Sequence, residues 1–181
     1  MKRDQLEHVI RAAADITDDE IVVVGSQAVL GQFPNAPEPL LGSLDADIYP
    51  RNDPSRADEI DGAMGDGSPF HETFGYYAHG VGPETPTAPS GWEERLIRID
   101  VPAVGRRRNS ATGWCMEIHD LVLAKLAAGR QHDLEFVAEA LRAELAEPGE
   151  LRLRIDWMPE RARAVTRTRL EGVIAMLQRQ R

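Results

Sequence analysis

Four β-branched residues in a row, Ile21-Val22-Val23-Val24, end at Gly25-Ser26. A strand with one wet face alternates apolar and polar residues. This run does not alternate, so it needs cover on both faces. The chain is therefore expected to contain a sheet with this strand buried inside it and other layers packed against it. Gln27-Ala28-Val29-Leu30 then reads as the start of a helix. The buried strand runs through a Gly-Ser turn directly into helical chain.

The rest of the pattern supplies the other layers. Leu6, Val9, Ile10 and Ala13 recur at helical spacing and predict an amphipathic helix over about 4–15. Leu44-Asp45-Ala46-Asp47-Ile48-Tyr49 predicts a second strand closed by Pro50, and Arg95–Val101 a third closed by Pro102. Residues 54–64 predict a helix with Pro54 in its first turn. From Gly62 to Gly91 the chain is dense in Gly and Pro. A loop that long is usually functional or holds short irregular strands. Beyond a boundary near Gly105–Gly113 the pattern is helical over about 118–129, 131–146 and 159–179, with a break at Pro148-Gly149.

With 181 residues, 42% of them hydrophobic, the chain can build a real core and is neither disordered nor fibrous. A net charge of −9 argues against binding nucleic acid through a basic domain. From Leu151 onward, however, eight arginines face three acids, so this tail carries +5 and the chain before it about −14. Arg106-Arg107-Arg108 adds a basic run in the middle. Such a tail meets RNA, an acidic partner or another copy of itself, or is a solvated helix face. Cys115 is the single cysteine, which excludes an internal disulfide and Cys-based zinc clusters. It is expected to be a small buried residue of a cytoplasmic protein. No apolar run reaches the length of a membrane span, and Met1-Lys2-Arg3-Asp4-Gln5 opens no signal peptide, so no membrane partner is expected.

Asp45-Ala46-Asp47 is the sharpest chemical feature. On a strand, residues two apart point the same way, so both carboxylates leave one face. Two adjacent carboxylates repel, and a divalent cation removes the conflict. Mg²⁺ (or Mn²⁺) prefers carboxylate oxygens together with substrate phosphates. Asp100, on the third strand, is a candidate third ligand or base. A solvent-facing strand edge is the plain alternative for the pair. Gly25-Ser26 offers close backbone approach, a hydroxyl and the free N–H groups of a helix start, which together make a phosphate cradle. A simple helix cap is the plain alternative there.

Strand, Gly-Ser, helix and then a strand bearing D-x-D resembles the nucleotidyltransferase fold of the polymerase-β type. The elements here are I-V-V-V-G-S-Q-A-V-L and S-L-D-A-D-I-Y-P. Residues 119–136, H-D-L-V-L-A-K-L-A-A-G-R-Q-H-D-L-E-F, are similar to the K…R.(K/R)D segment of bacterial nucleotidyltransferase-like toxins, the AbiEii and MenT group, and their uncharacterised relatives. The resemblance implies an α+β fold with a small mixed sheet flanked by helices over 1–112 and a helical C-terminal part over 113–181. It implies NTP as substrate and an acceptor hydroxyl on tRNA or on a protein. It also implies the role of a toxin held by an antitoxin. The alternatives are a catalytically inactive binding module or partner protein of the same fold, and an enzyme that adenylylates a small molecule such as an aminoglycoside.

Only two of the 21 basic residues are lysine, Lys2 and Lys125. Ile118, Leu121, Val122 and Lys125 share one helical stripe, so Lys125 sits where the stripe faces inward and needs anions or an escape to solvent. The resemblance places a triphosphate-binding lysine there. Arg130 and Asp133 follow within two turns: Arg130 would grip phosphate or brace Asp133, and Asp133 would orient Lys125 or Arg130. His71, His79, His119 and His132 lack zinc-ligand spacing and read as structural or solvated. Tyr76-Tyr77 and Trp92 read as local core under the long loop, with base stacking as the alternative.

Overall fold

The computed structural model describes residues 1–104 and 110–180. β1, Ile21–Val24, is buried along its whole length. Four more strands join it: β2 Asp45–Pro50, β3 Tyr77–Gly80, β4 Ile97–Val101 and β5 Ala111–Cys115. The sheet order is β3-β2-β1-β5-β4, with the unalternating strand in the middle as its composition requires. β2 is antiparallel and β5 parallel to β1, β3 is parallel to β2, and β4 is antiparallel to β5. Residues paired across a ladder share a face. Val24, Asp47 and His79 form one row, and Val22, Trp114 and Arg98 form another on the same face. Ile21, Val23, Ile48 and Ile99 point to the opposite face.

On that opposite face lies α1, Arg3–Thr17, which buries Leu6, Val9, Ile10 and Ala13. At Gly113 a side chain would run into Ile10 and Ile99. This accounts for the strand that the sequence pattern does not announce. β5 reads Ala-Thr-Gly-Trp-Cys, and its glycine, which looks like a breaker, is the room that α1 needs. A 3-10 turn at Ser26–Ala28 leads into α2, Val29–Gln32. α3, Ala57–Met64, follows the expected Pro54 turn, and α4, Pro69–Phe74, starts on Ser68, whose Oγ accepts from the His71 N–H at 3.2 Å. Tyr76 and Trp92 are buried, and Tyr76 packs with His8, Phe70 and Phe74. They serve the core.

After β5 come α5 Ile118–Ala128, α6 Gln131–Arg142, α7 Pro148–Arg154 and α8 Glu160–Arg179. α5, α6 and α8 pack on one another, α5 touches the turn after β1, and α6 touches a 3-10 helix at Glu38–Leu41. The fully buried Asp120 accepts from Arg95 at 2.7 and 3.1 Å and from Arg154 at 3.1 Å, which ties α5 to α7. One hydrophobic core runs from α1 through the sheet to α8. The boundary expected between 112 and 113 falls inside β5. Cys115 is fully buried, and burial pushes its thiol up to about 12. Among the described residues no helix is long and apolar enough to cross a membrane. The Arg106-Arg107-Arg108 run lies outside the described residues.

Candidate active site

Gly25 has φ 67° and ψ −169°, a backbone region open essentially to glycine alone. A Cβ there would collide with Oδ2 of Asp47. The missing side chain lets the turn after β1 press against that carboxylate. Gly25→Ala is expected to cost about 1–3 kcal/mol of stability, read as a lower thermal midpoint; an unchanged midpoint would contradict the close approach. The helix expected after Gly-Ser is only the 3-10 turn plus the single turn of α2. A ligand at Gly25-Ser26 would meet the turn itself, with little helix dipole behind it.

β2 delivers the carboxylates. Asp45 and Asp47 leave one face of the strand, and Ser43 Oγ donates to Asp45 Oδ1. Burial, and then the charge of Asp45, push the Asp47 carboxyl above its ordinary value, while His79, Lys125 and Arg130 pull it down. A positive charge beside Asp47 therefore eases its ionisation.

α5 and α6 supply it. Ile118, Leu121, Val122 and Lys125 are all buried. The lysine Nζ donates to Asp133 Oδ1 at 3.0 Å and lies 4.8 Å from the centroid of the Phe136 ring. Asp133 Oδ2 accepts from the Arg130 backbone N–H at 3.3 Å, so one carboxylate caps α6 and positions Lys125. Gly129, at φ 68°, ends α5, and Arg169 of α8 donates to the Leu126 and Ala127 carbonyls at 2.7 and 2.8 Å. The segment carrying Lys125 is thereby clamped from both sides. Gly25, Ser26, Asp45, Asp47, Lys125, Arg130 and Asp133 all line one cleft of about 1540 Å³ between the sheet and the helices.

Residues 4–162 match the family described as nucleotidyltransferases of unknown function, DUF6036. The chain belongs to this family. It matches no curated protein and no solved structure.

Asp100 is the site residue expected from sequence that this nucleotidyltransferase-family cleft does not contain. It shares a sheet face with Asp47 but stands three strands away and four residues along, about 20 Å by strand spacing. It is exposed and accepts from Arg98 at 2.9 Å. The expectation of a third ligand or base there is corrected. The neighbour of β2 on its outer side is β3, and strand order is not readable from strand sequence. Asp100→Ala is expected to leave transfer activity within about twofold; a larger loss in a steady-state assay would return Asp100 to the site.

Three groups in the cleft escaped the sequence reading. Ser43 lies two residues before Asp45, ahead of the first residue of β2. Thr85, Pro86 and Thr87 line the cleft from within the Gly/Pro-rich stretch. Arg161, Val165, Thr168, Gly172 and Met176 line it from α8 at helical spacing, so part of the basic tail faces the cleft.

Proposed function

We propose that this cleft moves a nucleoside monophosphate from an NTP to an acceptor hydroxyl with a divalent cation, Mg²⁺ or Mn²⁺. The observation that carries this reading is convergence. Segments far apart in sequence bring a glycine turn, two carboxylates and a buried lysine to one cleft. Among the described residues no set of three or more His, Cys, Asp or Glu is arranged to hold a metal. The protein's share would therefore be two carboxylates, which suits Mg²⁺: it takes one or two carboxylates and completes its shell with phosphate oxygens and water. The raised Asp47 carboxyl fits the same account.

Asp45 and Asp47 would hold the cation, which when bound shields the triphosphate and draws charge from the α-phosphorus. Gly25 brings backbone close to the phosphates and Ser26 donates its hydroxyl. Lys125 has three donors, so it keeps Asp133 and still neutralises a phosphate oxygen. Arg130 reaches in from the exposed rim. The acceptor oxygen attacks the α-phosphorus, the bond from that phosphorus to the bridging oxygen breaks, pyrophosphate leaves, and the hydroxyl proton passes to solvent.

For the acceptor we favour an RNA hydroxyl, tRNA first, because Arg130 at the start of α6 and Arg161 of α8 line the cleft. The setting that accompanies this reading is a toxin held by an antitoxin protein. The test incubates the protein with each α-labelled NTP, Mg²⁺ and total tRNA. Label on tRNA that vanishes with EDTA and with Asp45→Ala supports the reading, and label on protein would change the acceptor. Label that survives Asp45→Ala would sink the assignment of the site. No metal-dependent NTP binding in calorimetry would leave an inactive binding module.

A further inference from the structure

Gln27 is fully buried, two residues after the glycine of the turn. Its Nε2 donates to the Ser43 carbonyl at 3.1 Å, and its Oε1 has no hydrogen-bond partner among the described residues. A buried amide oxygen without a donor is a standing cost to stability. The contact that Gln27 does make ties the Ser43 carbonyl to the turn after β1, and the Met1 ammonium donates to the same oxygen at 2.7 Å. Ser43 in turn donates its hydroxyl to Asp45 Oδ1. An oxygen engaged this way has lost one of its lone-pair directions, which leaves Oδ2 as the freer oxygen of Asp45. On the other carboxylate, Oδ2 of Asp47 occupies the space that a side chain at residue 25 would need.

We propose that Gln27 and Ser43 are positioning residues: they hold Asp45 as a single-oxygen ligand for a small divalent cation and keep it in register with the Gly25-Ser26 turn. The inference rests on the metal-dependent reading above and adds to it which ion the cleft prefers. Mg²⁺ demands near-octahedral geometry with short bonds, and the smaller Mn²⁺ follows it more closely than Ca²⁺, which readily takes both oxygens of a carboxylate at longer range. Fixing Oδ1 on Ser43 therefore disfavours Ca²⁺.

The test uses Mn²⁺ alone on the full chain, read by the loss of the free-ion electron paramagnetic resonance signal, with Ca²⁺ as competitor. Ser43→Ala is expected to weaken Mn²⁺ binding about tenfold, the loss seen when the partner of a metal ligand is removed, and to let Ca²⁺ compete better. Ser43→Thr keeps the hydroxyl and is expected to stay within about twofold of the wild type. Gln27→Met removes the unmatched oxygen, so the melting temperature should hold or rise while Mn²⁺ affinity falls. A purely structural role would lower the melting temperature and leave affinity alone. Unchanged Mn²⁺ affinity and Ca²⁺ competition in Ser43→Ala, with binding still lost in Asp45→Ala, overturn the positioning role and leave the metal reading standing. A wild-type chain that binds no Mn²⁺ overturns both.

Discussion

Asp47→Asn will abolish nucleotidyl transfer and at the same time make the metal-free chain more stable at neutral pH. The loss follows from the role proposed for the carboxylate. A cation ligand at the reacting phosphates supplies several kcal/mol of charge stabilisation, so removing it is expected to slow transfer at least about a thousandfold. The stability change comes from the environment of the same group. Burial first, and Asp45 second, raise the Asp47 carboxyl in the folded chain above its ordinary value. A raised folded value means a contribution to stability that is present below the unfolded value and lost as pH rises through the folded one. Near pH 7 the charged carboxylate is therefore a liability in the absence of metal. Asparagine has nearly the same shape, still fits beside Gly25, and carries no charge. Thermal melts without metal, from about pH 4 to neutrality, should show the wild type losing ground to the variant as pH rises. Mn²⁺ should then raise the wild-type midpoint more than that of the variant, because only a state that binds is stabilised. A lower midpoint for Asp47→Asn at pH 7 would show that the carboxylate pair is not strained and would remove one support of the metal reading.

Backbone periodicity marked where the candidate residues stand better than it marked the strand order that brings them together. Ile21–Val24 forced a covered central strand, and the D-x-D spacing forced two carboxylates onto one face, because both follow from backbone periodicity alone. Lys125 was legible for the same reason: a charge on an apolar helical stripe has to be answered, and Asp133 answers it at 3.0 Å. What failed depended on long-range placement. Asp100 lies on a well-marked strand, yet that strand sits at the far edge of the sheet, and nothing local encodes the order β3-β2-β1-β5-β4. β5 was hidden because its glycine serves a helix more than ninety residues earlier. The cleft-facing stripe of α8 was visible as periodicity, but its target was not, since a helix of mixed character is equally consistent with a solvated face. Gln27 shows the same limit at short range. Its neighbours mark it as part of a helix start, and only the approach of Ser43 makes it a brace.

Lys125→Arg will leave the chain folded but lower transfer by about two orders of magnitude, the usual loss when one preorganised donor to a developing charge is displaced. In a chain with 19 arginines and two lysines, this is the exchange that composition treats as neutral. The geometry does not. The Lys125 side chain is 9% exposed and Asp133 is 6% exposed, with the Phe136 ring 4.8 Å away. A compact ammonium fits between carboxylate and ring and keeps a donor for the proposed phosphate. A planar guanidinium keeps the charge and the bond to Asp133, but it is longer and its donors are fixed in a fork. Lys125→Met separates charge from shape. It leaves the Asp133 carboxylate buried without its cation, at a cost of about 3 kcal/mol, or a midpoint lower by about 6–12 °C for a chain of this size. Adding Asp133→Leu to Lys125→Met should recover part of that stability, because a buried pair replaced by apolar side chains is often neutral while the α6 cap is lost, and none of the activity. Calorimetric NTP binding, transfer rate and thermal melt of the three variants then divide the two roles of the lysine. If Lys125→Arg binds NTP and transfers as the wild type does, the compact charge is not what the cleft requires. Lys125 would then be a buried ion-pair partner that supports α5 and α6, and the triphosphate would have to be neutralised by Arg130 from the rim.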